Sequence, residues 1–332
     1  MKIVIPGGSG HLGRLLVRDL AGRGHELVVL SRGGARAQPS AARSVHWDGR
    51  TSGPWAQELD GADALVNLAG RSVDCRYTKE NLRAMLDSRV ESTRALGAAC
   101  AAAARPPRVW LQAGTATLYA HRFDAANDEA SGQIGGGEAD VPPYWRWSID
   151  IARAWEQALE EVPVPQTRRV VLRTAMVMGL EPGGVFEVLL RLTRLGLHGA
   201  MAGGRQYVSW IHERDFVRAC AWLLEHEDLA GPVNLCAPEP LPQRVFARTL
   251  RAAAGAPIGL PAAAWMLELG ALALRTDTEL LLKSRRVVPA RLLASGFAFE
   301  FPTWTAAARE LVARRRTPGA RRLDPPAAAV RG

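Results

Sequence analysis

Long apolar runs are what this 332-residue sequence most clearly lacks. A membrane-spanning helix needs about 18 or more consecutive apolar residues, and no stretch comes near that. Met1 to Ile5 leads directly into a glycine loop, with no leader of the charged-then-apolar kind. The sequence therefore predicts a cytoplasmic protein with no membrane partner. Cysteine is sparse as well: Cys75, Cys100, Cys220 and Cys236 stand far apart, in no Cys-x-x-Cys pair. His25, His46, His198 and His226 form no His-Glu-x-x-His pattern, and no histidine stands at ligand spacing from the cysteines. No metal centre is expected, and the cysteines read as buried, reduced thiols. No internal repeat is present, which argues against solenoids and propellers.

Lysine is scarce beside arginine, and the formal charge is +9. Basic surface is the footprint of phosphate binding in nucleic-acid proteins. Much of the excess, however, falls at Arg314, Arg315, Arg316, Arg321 and Arg322, ahead of Pro325, Pro326 and an alanine run. That pattern reads as a basic, disordered tail over residues 313–332, and no nucleic-acid partner is expected.

What the sequence does have is alternation. Short aliphatic runs at Lys2 to Ile5, Glu26 to Leu30, Ser44 to Trp47, Ala64 to Asn67, Val109 to Ala113 and Arg168 to Arg173 read as strands. Helical patterns lie between them at His11 to Ala21, Thr78 to Ala104 and Tyr144 to Glu161. This order predicts βαβ units feeding a parallel sheet. Thr78 supplies an N-cap and Pro106-Pro107 a stop for the second helix. Beyond Gly179 the pattern predicts a strand at Tyr207 to Ile211, a helix at Glu213 to Glu225 and a strand at Val233 to Leu235. From Pro238 to about Arg316 it is mostly helical. Asn127 to Gly137, rich in Gly, Asp, Glu and Ser, reads as a mobile loop. The expected fold class is α/β: a doubly wound parallel Rossmann sheet of about seven strands with a smaller, mainly helical C-terminal lobe. Residues 1–180 form the Rossmann domain, completed by a return around 207–237, and residues 181–206 and 238–312 form the lobe.

Gly7-Gly8-Ser9-Gly10-His11-Leu12-Gly13 follows an apolar strand and opens a helix, the context in which a glycine fingerprint binds a dinucleotide. Gly7 permits the tight turn, Gly10 lets backbone approach a pyrophosphate, and Gly13 lets the helix pack on the sheet. The helix N-terminus then offers free N–H groups to phosphate. Where an NAD enzyme places an acid after the second strand, this chain has Leu30-Ser31-Arg32. A carboxylate would repel a 2′-phosphate, whereas Ser31 and Arg32 can bind one, so NADP(H) is expected over NAD(H). Asn67-Leu68-Ala69-Gly70 closes the fourth strand, where backbone passes the cofactor.

These pieces, with a strand ending Thr115-Ala116-Thr117-Leu118-Tyr119, resemble the extended, epimerase-like short-chain dehydrogenase/reductases. A closer resemblance is to an atypical subgroup of NAD-dependent epimerase/dehydratase-like proteins with its own C-terminal domain. DSRVESTRAL (Asp87 to Leu96), LRTAMVMG (Leu172 to Gly179), GRQYVSWIHERD (Gly204 to Asp215), GPVNLCAPEP (Gly231 to Pro240) and RRVVPARLLASGFAFEFP (Arg285 to Pro302) carry it. The resemblance implies a Tyr-xxx-Lys pair on the helix after the fifth strand, with Thr115 completing the site. With the helix anchored on Trp155-Glu156, those positions hold Ser148 and Ala152, so the pair is missing.

Three residues remain as catalytic candidates: Thr115, Tyr119 and Tyr144. The cofactor set is Gly7, Gly10, His11, Leu12, Gly13, Ser31, Arg32, Asp48, Asn67, Leu68, Ala69, Gly70, Ala113, Ala175 and Val177. Trp147, Arg205, Trp210 and His212 are the substrate candidates, with Arg205 as an anion clamp. The expected function is an NADP(H)-dependent oxidoreductase or epimerase on a carbonyl or hydroxyl small molecule. The alternative is a catalytically silent NADP(H)-binding redox sensor. The superfamily resemblance also implies a homodimer through the Thr78 to Ala104 and Tyr144 to Glu161 helices.

Overall fold

A computed structural model describes residues 1–33, 41–139, 141–268 and 278–317. Aliphatic runs form the sheet: β1 (Lys2–Pro6), β2 (Glu26–Ser31), β3 (Arg43–His46), β4 (Ala64–Asn67), β5 (Val109–Thr115) and β6 (Arg168–Thr174). Strands β7 (Met176–Met178), β8 (Tyr207–Val208), β9 (Trp210–His212), β10 (Gly231–Leu235) and β11 (Leu241–Pro242) follow. Seven of them make one sheet in the order β10-β6-β5-β4-β1-β2-β3, and every neighbouring pair in it is parallel. The inner strands are apolar on both faces because helices cover both, whereas β3 at the edge is polar and partly exposed.

Period-two alternation assigns the faces. Ile3 and Ile5 join a core with Leu15, Leu16 and Leu20 of α1 (His11–Gly22) and Phe216 and Leu223 of α5 (Glu213–Glu225). Val4 and Val28 face the other way, onto Leu96 and Cys100 of α2 (Lys79–Ala102) and Leu159 of α3 (Arg146–Glu160). Thr78 Oγ1 accepts the Asn81 N–H at 3.2 Å and fixes the start of α2, as the sequence predicts. A third core fills the C-terminal lobe. Phe186 of α4 (Val185–Arg194), Phe246 of α6 (Gln243–Ala254), and Trp304 and Leu311 of α7 (Trp304–Arg316) meet there.

Three sequence expectations change. The strand expected at Tyr207 to Ile211 divides into β8, paired with β11, and β9, paired with β7. Helix α7 runs through Arg316, so Arg314, Arg315 and Arg316 are helical rather than part of a tail. Arg314 pairs with Glu213 and Glu310, which binds the last helix back onto the start of α5. Arg321 and Arg322 lie outside the described residues. The Asn127 to Gly137 segment is pinned rather than free. Asn127 donates its N–H to the Arg286 carbonyl at 2.6 Å, Val288 donates to the Asn127 carbonyl at 3.0 Å, and Glu129 accepts the Asn234 N–H at 2.8 Å. Of the cysteines, Cys100, Cys220 and Cys236 are buried and Cys75 is half-buried, all as free thiols. Among the described residues no helix is long and apolar enough to cross a membrane.

Candidate active-site cleft

Strand order reverses between β1 and β4, which opens a crevice at their C-terminal ends. Gly7 has φ +77°, and a Cβ there would stand 2.7 Å from the Leu68 carbonyl. At Gly13 a Cβ would lie 2.5 Å from Gly7 O. Only glycine lets the first loop, α1 and the turn after β4 touch. Asn67 builds that turn from beneath: Oδ1 accepts Ala69 N–H at 3.0 Å and Nδ2 donates to Gln112 Oε1 at 3.0 Å. Helix α1 starts at Gly10 with no side-chain cap and no acid in its first turn. The amides of His11, Leu12 and Gly13 therefore keep their anion-binding capacity. Ser31 is 6% exposed at the end of β2, and its Oγ is buried without a partner. Such an atom costs about 1–3 kcal/mol until a ligand satisfies it. Arg32 is exposed beside it. His11 Nε2 is a second buried atom without a partner. A phosphorylated dinucleotide fits this donor set.

A second wall, where α3 begins, is made of charge. Ser148 Oγ donates to Glu279 Oε1 at 2.6 Å and lies 2.9 Å from the Trp145 carbonyl. Glu279 Oε1 is also 3.6 Å from Lys283 Nζ, which donates to the Thr117 carbonyl at 2.7 Å. Arg285 Nε donates to Thr117 Oγ1 at 3.2 Å. Burial pushes the Lys283 ammonium down to about 8, with the Glu279 carboxylate pulling the other way. Lys283 faces a cavity of about 330 Å³ shared with Gly136, Glu138, Pro142, Trp145 and Arg146. Tyr144 Oη lies 3.2 Å from Thr278 Oγ1, which donates to Glu268 Oε1 at 2.8 Å. Thr115 Oγ1 accepts the Thr117 N–H at 3.1 Å, which leaves its proton to donate. In a site of low dielectric, these groups can hold a substrate oxygen and exchange a proton with it.

The sequence candidates divide. Tyr144 reaches this cluster through Thr278, the chain neighbour of Glu279, and Thr115 ends β5 two residues before Thr117, which Lys283 and Arg285 bond. Tyr119 stands apart: it is 1% exposed, and its hydroxyl donates to Asn234 Oδ1 at 2.9 Å and accepts Arg173 Nη1 at 3.0 Å. Arg173 in turn grips Glu156 through two bonds of 2.9 and 2.8 Å. Burial raises the Tyr119 pKa further, so it is an anchor for the chain rather than an acid. Trp210 and His212 are 0% exposed and cannot meet substrate. Trp210 packs on Trp304, while His212 stacks on Phe301 at 3.9 Å and bonds Glu310 at 3.0 Å. Val177 turns its side chain into the core below the sheet, and Ala175 is half-buried against Tyr119 and Cys236. Ala113 lies on β5 two residues before Thr115, paired with Leu172. Asp48 spends its carboxylate on Arg50 N, Thr51 N and Thr51 Oγ1, and the Thr51 bonds hold its pKa down to about 2. Trp147 is 51% exposed on α3, and Arg205 is an exposed cation 6.0 Å from the Phe123 ring. Sequence reasoning missed Glu279, Lys283 and Arg285. The signal was present only as Lys283-Ser284 directly ahead of the recognised motif that Arg285 opens.

A profile described as the NAD dependent epimerase/dehydratase family matches residues 3–236, and a domain of unknown function, DUF1731, matches residues 262–311. The bovine epimerase family protein SDR39U1 is 34% identical over 323 residues, covering 94% of this chain and 100% of that protein. The crystal structure of human epimerase family protein SDR39U1 (isoform 2) with NADPH superposes with a TM-score of 0.80 at 31% identity, covering 94% of this chain and 99% of that one. A nucleoside-diphosphate sugar epimerase from Corynebacterium glutamicum gives a TM-score of 0.72 at 25% identity, over 94% of this chain and 58% of that one.

Proposed function

Because the chain belongs to the NAD dependent epimerase/dehydratase family, we propose that it is an NADP(H)-dependent oxidoreductase or epimerase acting on a small carbonyl or hydroxyl compound. The observation that carries the cofactor choice is the buried, unpartnered Ser31 hydroxyl beside Arg32, where an acid would select NAD(H). The NADPH bound by the human relative supports the same choice. Backbone amides of His11, Leu12 and Gly13 would hold the diphosphate over the close turn that Gly7 and Gly10 form, Ser31 and Arg32 the 2′-phosphate, and the Asn67 to Gly70 turn the neighbouring ribose. The bound cofactor supplies or accepts a hydride.

The chain's own residues handle the substrate oxygen. Thr115 orients it through its free proton. The Ser148–Glu279–Lys283 cluster occupies the α3 position where the Tyr-xxx-Lys pair is lost, and it brings an ammonium, a carboxylate and a hydroxyl there from two parts of the chain. Four free cysteines suit the reducing cytoplasm, where we place the protein.

A screen of NADPH oxidation across carbonyl compounds and sugar nucleotides, paired with protease sensitivity in NADP+ and in NADPH, tests this reading. Turnover that falls on Thr115→Val supports it. Redox-dependent protection with no turnover on any substrate instead supports a cofactor-sensing protein without catalysis.

A further inference from the structure

A second cavity, of about 630 Å³, lies on the C-terminal lobe and shares no lining residue with the cleft cavity. That volume is in the range of small-molecule sites. Helix α6 forms one side of it. Phe246 and Leu250 turn from this helix into the lobe core, while Arg244, Arg248 and Arg251, at i, i+4 and i+7, make a separate stripe that lines the cavity.

Backbone sets the facing wall. Residues 258–262 run back along residues 196–202: Leu260 N–H donates to the Gly196 carbonyl at 2.7 Å, Ala262 N–H to the Ala200 carbonyl at 3.0 Å, and Ala202 N–H to the Ala262 carbonyl at 2.8 Å. Glycine permits the approach, since a Cβ at Gly199 would overlap the Leu260 carbonyl and one at Gly259 the Arg251 guanidinium. Arg251 is fixed there by donating through Nη1 to the His198 carbonyl at 2.8 Å.

This cavity has three cations and no carboxylate. Residues 196–206 and 243–267 contain neither Asp nor Glu. Arg14, Arg173 and Arg214 each pair with a carboxylate elsewhere in the chain, whereas Arg244 and Arg248 are exposed and form no ion pair among the described residues. Like charges one turn apart on a helix repel, and an anion between them removes the repulsion. A guanidinium fork meets phosphate oxygens two at a time. The stripe spans about 10 Å at 1.5 Å per residue, which suits more than one anionic centre. On either side of Gly259, Ile258 and Leu260 are 62% and 57% exposed, so the rim can also take an apolar substituent.

We propose that this cavity is a second ligand site, in which Arg244, Arg248 and Arg251 bind the phosphate of a phosphate-bearing amphiphile. The site is independent of the dinucleotide cleft. A soluble phosphorylated compound and a phospholipid headgroup carry the same chemistry, and the test separates them.

The full chain is titrated calorimetrically with inorganic pyrophosphate and floated with vesicles of phosphatidylcholine, alone or with added phosphatidic acid. Pyrophosphate can also meet residues 7–13, so the readout is a comparison between proteins. The double variant Arg244→Gln, Arg248→Gln weakens the lobe site about tenfold or more. The control pair Arg191→Gln, Arg194→Gln removes the same charge from exposed positions of α4 outside the cavity and binds as the parent does. Pyrophosphate binding that needs Arg244 and Arg248, without flotation, supports a soluble ligand. Flotation that needs both phosphatidic acid and these two arginines supports a headgroup. Equal losses in the two pairs show diffuse charge attraction and overturn the site, as does a folded Arg244→Gln, Arg248→Gln protein that behaves as the parent in both assays. Should that variant not fold, a crystal structure of the parent grown with pyrophosphate decides. An anion bonded to Arg244 or Arg248 in the cavity supports the site, and its absence there overturns it.

Discussion

The cleft wall formed by residues 7–13 and 67–70 owes its shape to side chains that are missing, whereas the wall formed by Ser148, Glu279, Lys283 and Arg285 owes its shape to charged ones. On the first wall backbone touches backbone, and the donors are amides. On the second, Glu279 is 0% and Lys283 2% exposed, so each depends on the other for the charge it keeps out of water. The first wall therefore tolerates no added atom at Gly7 or Gly13, and the second tolerates no lost charge.

Substitutions that violate one rule at a time test the contrast. The largest effect is expected at Glu279→Gln, which leaves Lys283 buried without its counter-charge. It should lower the urea-measured stability by about 3–5 kcal/mol. A loss under about 1 kcal/mol would mean that the second wall is not held by charge.

Next is Gly13→Val. Its added carbons collide with the Gly7 carbonyl, 2.5 Å from the ideal Cβ, and NADPH affinity should fall about 100-fold, near 2.7 kcal/mol. Unchanged affinity would show that the loop yields.

Smaller, and away from both walls, is an acid effect at His198, which sits beside Thr193 and Arg251. Burial lowers its pKa from 6.5 to about 4. The unfolded chain takes up that proton first, so this contribution is complete above pH 6.5 and is lost as the pH falls toward 4. By pH 5 the loss should reach about 2 kcal/mol, and His198→Asn should remove it from urea titrations run across that range. The smallest effect belongs to Trp147→Ala. This side chain is 51% exposed, and its loss should move stability by less than about 0.5 kcal/mol and leave NADPH binding unchanged.

The same contrast explains what could be read from the sequence. The strands, the Thr78 cap and the glycine loop each depend on residues a few positions apart, so their signals are local. The start of α3 was less legible: Pro143–Trp145 forms a tight turn of 3-10 helix before regular helix begins at Arg146, two residues later than the pattern suggests. The charged wall was not legible, because Ser148 and Glu279 meet across 131 positions. Tyr119 and His212 misled for a related reason. A polar side chain at the right sheet edge looks reactive until its partners, Asn234, Arg173 and Glu310, are seen to occupy it. Val177 and Trp210 failed because motif membership says nothing about which way a side chain turns.

The bracket that holds Asn127 between Arg286 and Val288 also has a meaning in time. Ribosomes add about 5–20 residues per second, so the two halves of this clasp are made roughly 8–30 seconds apart. During that interval every strand of the Rossmann sheet, β10 included, is made, while Asn127 has neither Arg286 nor Val288 to close against. The nucleotide wall is then complete before the chemical wall exists, and a nascent chain can meet its cofactor while still unable to use it.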